Sequence, residues 1–573
     1  MDSTSFLLLL YDRFLRLDVP LVLLGVFLFR LAGSKAYRLF IYPYFVSPLR
    51  HLPGPKNHHF LIGHTLNQFR SGHPNEPFVS WMRRWPKTPL IRYFDVGNAD
   101  AVLVTSLEAH KEILHAKVYS FQKPPFFVRL IADIVGFGIG FAEGDEHKKQ
   151  RRALAMKYPQ ECLPNSPVLF STKNLEGFIP LLRSKASHLS HQLDDIIRTE
   201  GGVVDIVSLY SKITLDIMGQ FAIGRELDEL TGQSGGDNSL ASMPFHACYR
   251  ELFEPDGVGQ LLIAINGVFP IRWLPLKANR RFNQAHKTLR SQIQAVIQER
   301  IRALDPDKTG AATAASINRG SVHHGSDENS NETKDLLSWM VSRKYYADGG
   351  NNHRDRWGED EIRDQILTFL AAGHQTTADA LTWATQLMIQ HPAEAQRLRA
   401  EVVDLLRRCG THPPSCRDIE TLHYLHNFTR EVLRVQCPGI NVAREAIHDV
   451  VVQGVLIPKG TTVLMQPAII HKNPTIWGAD CDEFRPDRWD SLTPGSEAAD
   501  PWAFAAFSHG PRICIGRAFS MLEFKVLLIE LVSRFRFDGL GRNGRMAHEI
   551  KLVNPSPMLR PDGGLKVRVE RAM

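Results

Sequence analysis

The segment Phe507-Ser508-His509-Gly510-Pro511-Arg512-Ile513-Cys514-Ile515-Gly516 constrains this chain more than any other. A cysteine stands between two glycines, with an arginine two residues before it and a phenylalanine seven before it. At a usage of roughly 5% per residue type, five such positions coincide by chance in about one chain of this length in several thousand. Glycine on both sides permits sharp turning and close backbone approach to a partner. Beyond Gly516 the run Arg517 to Leu528 has helical apolar spacing. Cys514 therefore precedes a helix, whose N-terminal dipole favours a thiolate.

A thiolate so placed can ligate haem iron and push electron density onto it, which favours O–O cleavage. Arg512 offers donors suited to a haem propionate. Phe507 can shield the sulfur from water and so tune its potential. The run resembles the cysteine-ligand loop of the cytochrome P450 superfamily, whose established chemistry is haem-thiolate ligation. The resemblance implies haem b (iron protoporphyrin IX) with Cys514 as the metal ligand. Phe507, Gly510, Arg512 and Gly516 would form the rest of the loop. It also implies the fold class: mainly α, a single large helical domain with small β-sheet regions, plus an N-terminal membrane anchor.

Gly358 to His391 reads as one long helix, with Ile362, Ile366, Phe369, Leu370, Ala378, Leu381 and Leu387 near helical spacing. Its middle is Ala371-Ala372-Gly373-His374-Gln375-Thr376-Thr377. Small residues there let a flat ligand lie against the helix. A threonine hydroxyl can bond a carbonyl one turn back and open the helix locally. The run resembles the family's oxygen-activation stretch, with Ala372 and Gly373 over the haem and Thr376 steering protons. The family usually places an acid before that threonine. Here it is Gln375, which can orient water but does not titrate near neutrality. Proton delivery then falls to Thr376, water and His374.

Glu431-Val432-Leu433-Arg434 sets opposite charges three apart on one helical face. With Arg488, in Phe484-Arg485-Pro486-Asp487-Arg488-Trp489, they resemble the family's structural Glu–Arg–Arg triad. His147 and Arg151, four apart in Gly144 to Arg152, match its haem-propionate donors. Lys148, Lys149 and Arg152 are surplus cations able to meet an acidic electron donor. After the Glu–Arg helix, Val450 to Val463 reads as a β-hairpin turning at Pro458-Lys459-Gly460. The resemblance puts Arg444, just before it, on a propionate and Ile440 to Val442 toward substrate. Phe126, Phe127, Leu130, Ile131, Ile134, Val135 and Phe137 fall where the family covers its distal pocket, which suggests a lipophilic substrate held by shape.

Ser5 to Tyr11 and Val19 to Phe29 are apolar runs. Neither reaches the ~20 residues of a clean membrane span. With Leu31 to Val46 they form an apolar leader, read as a membrane anchor over 1–47 that either spans or lies in the interface. The catalytic domain would occupy 48–573, behind a proline-rich hinge at 48–55. A cleaved signal peptide is the competing reading; the missing basic start and the presence of Asp2 oppose it. Asp305 to Thr333 lacks an apolar period and reads as a flexible surface insertion, and Tyr346 to Arg356 is similarly polar. Two sequons, at Asn331 and Asn427, matter only in a lumenal protein. Seven cysteines, an odd number with no paired metal spacing, favour free thiols in a reducing compartment. A net charge of +7 without a basic block gives no nucleic-acid reading.

The resemblance implies a monooxygenase on the cytosolic face of the endoplasmic reticulum membrane. It would take dioxygen, a lipophilic small molecule and electrons from NADPH through a reductase. It looks most like fungal members that tailor terpenoids and polyketides. Two alternatives stay open: a haem-thiolate isomerase or dehydratase needing no external electrons, motivated by Gln375, and a haem-binding sensor or carrier.

Overall fold

The computed structural model describes residues 21–155, 172–227, 245–253, 257–303, 335–346, 357–541, 546, 549–554, 556 and 558–572. Helices dominate. The ones that frame the site are α1 (Pro125–Val135), α2 (Gly144–Ala155), α3 (Ile179–Glu200), α4 (Ile206–Ile223), α5 (Lys277–Ala303), α6 (Glu359–Gln390), α7 (Pro392–Cys409), α8 (His423–Val435) and α9 (Arg517–Arg534). The predicted long helix is α6. Three acids, Glu359, Asp360 and Glu361, complement its N-terminal dipole. Glu361 reaches back to accept from the Gly358 amide at 2.6 Å. From Gln365 to Ile389 it is buried on nearly every side, so it is the central beam. The largest hydrophobic cluster wraps it with side chains of α3, α4, α5, α7, α8 and α9.

Among the described residues, ten short strands make three sheets. β1 (Leu90–Phe94), β2 (Asp100–Val104), β3 (Phe121–Gln122), β5 (Val442–Ala446) and β8 (Thr462–Met465) lie in the order β1-β2-β8-β5-β3. β4 (Val203–Asp205), β9 (Phe535–Gly539) and β10 (Lys566–Arg571) lie in the order β4-β10-β9. β6 (Val450–Val452) and β7 (Val455–Ile457) form a separate hairpin. Its turn is Gln453-Gly454, both left-handed with φ of 50° and 75°, which matches the twist a two-residue hairpin turn needs. The expected turn at Pro458 to Gly460 instead hands the chain from β7 to β8. Proline and a left-handed glycine mark a turn there, but the pairing partner lies elsewhere in the sheet.

The proline-rich stretch 48–55 is not a free linker. Leu49 is fully buried, and the Arg92 amide donates to the Pro53 carbonyl at 2.9 Å. Gly54 sits so close to β1 that a Cβ would lie 2.0 Å from the Arg92 oxygen. Burial of one leucine and a backbone bond outweigh the tendency of prolines to stand off. In the leader, 21–36 is α-helical with its side chains exposed. No described helix is long and apolar enough to cross a membrane. Residues 1–20, the insertion 305–333, Asn331 and Cys162 lie outside the described residues, as does nearly all of the polar stretch after Tyr346. Asn427 is buried in α8, where its amide donates to Asp490.

Candidate functional site

The loop before α9 closes on itself: the Cys514 amide donates to the Phe507 carbonyl at 2.9 Å. Gly510 adopts φ +70°, and a Cβ there would lie 2.1 Å from the Leu114 oxygen. Only glycine lets the loop lie against segment 112–116. A Cβ on Gly516 would meet just the Cys514 sulfur, at 3.9 Å, so the space beside the sulfur is open.

Cys514 retains exposed surface, yet surrounding protein desolvates its thiol and pushes its pKa up. Its surface therefore opens into an interior cleft rather than into bulk water. The amides of Gly516 and Arg517 and the guanidiniums of Arg151 and Arg517 pull in the opposite sense, toward thiolate. α6 also has an opening. Within its buried length Ala372 is exposed and Ala371, Gly373 and Thr376 are half-buried. Thr376 donates to the Ala372 carbonyl at 2.8 Å, one turn back.

A cationic cluster lies between α2, β5 and the cysteine loop. Arg151 donates to the Ile513 carbonyl at 2.8 Å. Arg512 donates to the Ala142 carbonyl at 3.1 Å and pairs with Glu143. Lys123 meets the same carboxylate at 3.2 Å. Arg444 is buried; desolvation, with Arg512 beside it, lowers its pKa to about 10. Lys123 is lowered to about 8, by burial and then by Arg444 and Arg512, against the pull of Glu143. His147 is lowered to about 4 by burial and by Arg512, Lys123 and Arg151, so it is neutral at pH 7. Its Nδ1 faces the Tyr119 hydroxyl at 3.4 Å.

Glu143 is shared by three cations, Lys123, Arg512 and Arg444, with Arg151 alongside on the cysteine loop. The Nε of Arg512 is buried without a partner. Buried positive charge in such excess is costly unless a ligand balances it. Two propionates would supply the missing charge, and the thiol on the adjoining loop would meet a metal at the same ligand's centre. The donor set fits a haem.

Several expectations need correction. Gly373 does not merely clear room for a flat ligand. A Cβ there would lie 2.5 Å from the Met218 sulfur of α4, so the missing side chain serves the close crossing of α4 and α6. Gln375 does not face the cleft as a water-orienting amide. It is buried, and its Nε2 donates to Asp379 at 2.8 Å. His374 is buried as well, bonded to the Leu370 carbonyl at 3.0 Å and edge-on to Tyr249. Of the surplus cations, Lys148 pairs with Asp145 at 2.8 Å and Lys149 lies 3.9 Å from Glu361. Ile440, expected to face substrate, is buried in the core, whereas Asn441 is exposed. Ile134 and Val135 are core residues too; Phe126 and Phe137 are exposed.

Glu431, Arg434 and Arg488 come together as a fully buried group. Arg434 grips both carboxylate oxygens of Glu431 at 2.8 Å, and Arg488 reaches the same carboxylate at 3.2 Å. The sequence reading missed Lys123 and Glu143. Lys123 carries no periodic signal. The β3–β5 pairing, Gln122 opposite Glu445, brings it beside Arg444. On the far side of the cysteine loop a cavity is lined by Arg430, Trp489, Phe504, Phe507, His509 and Arg517.

The Cytochrome P450 family model matches residues 53–559. A cytochrome P450 monooxygenase of Aspergillus fumigatus, sphH, is 32% identical over 527 residues, covering 90% of this chain and 88% of that protein. The cytochrome P450 monooxygenase FUM15 of Gibberella moniliformis is 28% identical over 621 residues, covering 99% and 94%. A crystal structure of the cytochrome P450DA heme domain superposes with a TM-score of 0.68 at 22% identity, covering 91% of this chain and 98% of that one. That last likeness speaks to the fold.

Proposed function

The chain belongs to the cytochrome P450 family, and from that premise we propose that it is a haem-thiolate monooxygenase that oxidises a lipophilic small molecule in fungal secondary metabolism. Membership implies an oxygen-incorporating oxidoreductase with thiolate-bound haem iron. Bound haem supplies the oxygen chemistry, in which dioxygen, two electrons and two protons yield one water and one oxygen atom inserted into substrate.

The chain's own residues set the conditions. Cys514 would supply the sulfur ligand, and the Gly516 and Arg517 amides favour its thiolate. Arg151, Arg444, Arg512, Lys123 and neutral His147 would hold the propionates. Ala372 leaves space on α6, and the Thr376 hydroxyl, held on the Ala372 carbonyl, would guide protons there. The Glu431–Arg434–Arg488 group keeps the segment leading to the cysteine loop in place.

Electrons come from NADPH through a reductase. Arg430 and Arg517, neither in an ion pair among the described residues, border the cavity behind the cysteine loop and suit an acidic donor. The enzyme works at the cytosolic face of the endoplasmic reticulum membrane. The exposed apolar helix at 21–36 supports this reading, as do Val258, Leu261, Phe269 and Trp273, each more than half exposed.

The buried, under-neutralised cluster beside the interior surface of Cys514 carries this reading. Cys514→Ala should abolish the red-shifted Soret band of the reduced, carbon-monoxide-bound protein, and the wild type expressed with a reductase should add one oxygen to a supplied lipophilic precursor. Persistence of that band in the variant would remove Cys514 as ligand. The diversion of Gln375 to Asp379 keeps one competitor, an isomerase or dehydratase; turnover without NADPH would select it.

A further inference from the structure

We propose that the cavity on the far side of the cysteine loop is a binding site for one phosphate-class dianion. The inference goes beyond the monooxygenase reading and does not need it. The cavity encloses about 220 Å³, well above the ~10–15 Å³ that admits a single water, so a multi-atom ligand fits. Arg430 of α8 and Arg517, the first residue of α9, line it from two different helices.

Charge is unbalanced there. Arg430 is half-buried, and its guanidinium lies 3.7 Å from the centre of the Trp489 ring. Burial lowers its pKa and Arg517 lowers it further, against the pull of Glu431. The neighbouring carboxylates are spent elsewhere. Asp500, which also lines the cavity, accepts from Lys111 at 2.5 Å and from the Trp502 amide at 3.0 Å. Glu431 is held by Arg434 and Arg488. Asp490 takes His423 and Asn427.

Hydrogen bonding is unbalanced in the same sense. Trp489 lines the cavity and is only 8% exposed, and its indole nitrogen has no partner among the described residues. That nitrogen can only donate, so what it lacks is an acceptor. The Ser508 hydroxyl, on the same wall, is buried without a partner as well. A desolvated donor left unpaired is costly. Two guanidiniums and two further donors call for several acceptor oxygens carrying two negative charges. Phosphate supplies both, and its oxygens match the planar fork of arginine. Acetate or chloride would leave one cation unbalanced. Once occupied, the cavity presents no free cation to an acidic electron donor.

Titration calorimetry of the haem-loaded full chain with sodium phosphate tests this directly. The pH is held mildly alkaline, where phosphate is a dianion, and chloride keeps the ionic strength constant. One saturable phosphate per chain is expected, bound more tightly than acetate. Trp489→Phe keeps an aromatic ring under Arg430 and deletes the indole N–H. It should weaken phosphate roughly ten- to a hundredfold, the range of one hydrogen bond to a charged group. Arg517 is exposed, so Arg517→Gln keeps the fold and should weaken phosphate at least as much. Far-ultraviolet circular dichroism matching wild type shows that each variant is folded. Heat no larger than chloride gives, or acetate bound as tightly as phosphate, would overturn the proposal. So would a phosphate affinity that survives both substitutions in folded protein.

Discussion

Replacing Arg434 with alanine should leave no haem-loaded protein. Every hydrogen of its guanidinium is committed: Nε and Nη2 to Glu431, Nη1 to the carbonyls of His471 and Cys481, and Nη2 also to that of Glu483, all between 2.6 and 2.8 Å. Breaking a buried pair by deleting one partner costs about 3–5 kcal/mol. The carbonyls of His471 and Cys481 are stranded and each adds about 1–3 kcal/mol, while that of Glu483 keeps Arg488 at 3.3 Å. Together these approach the ~5–15 kcal/mol that holds a whole domain folded. Arg488 remains on Glu431 at 3.2 Å but is itself shared with Asp480 and the Trp477 carbonyl. Arg434→Lys keeps the charge but has three hydrogens for five places, so a partly loaded, less stable protein is expected. Haem absorbance per protein, together with thermal unfolding, gives the answer. An alanine variant with full haem and a melting temperature within a few degrees of wild type would refute the reasoning.

Gly373→Ala should destabilise by about 1–3 kcal/mol through overpacking against Met218, and combining it with Met218→Ala should cost less than the two single losses added together; simple additivity in unfolding would sever the contact. Gly510→Ala forces a Cβ into the Leu114 carbonyl at an unfavourable φ and should sharply cut haem retention; retention equal to wild type would count against the argument.

Much of this was legible in the chain because the signals are local. The Phe507–Gly516 frame, the Glu431–Arg434 spacing and the period of α6 each sit within a short window, so turn and helix chemistry alone position them. Expectations failed where a distant partner decided the outcome. Gln375 looked free to serve the cleft because nothing local announces that Asp379, one turn on, takes its amide. Gly373 looked like clearance for a ligand because the Met218 that fills its place lies on another helix. Leu49 and Gly54 read as linker because proline-rich composition does not reveal the strand they lie on. Lys123 was silent for the same reason: a lone lysine before two prolines gains meaning only through β3–β5 pairing.

Three cations sharing the carboxylate of Glu143 amount to a spring that the polypeptide cannot relax by itself. Newly made chains should therefore finish maturing in this region only when the dianionic edge of the prosthetic group arrives. Abundance of the protein in a host would then track porphyrin supply, and protease sensitivity around α2 and the β5 edge would report how much of it has been loaded.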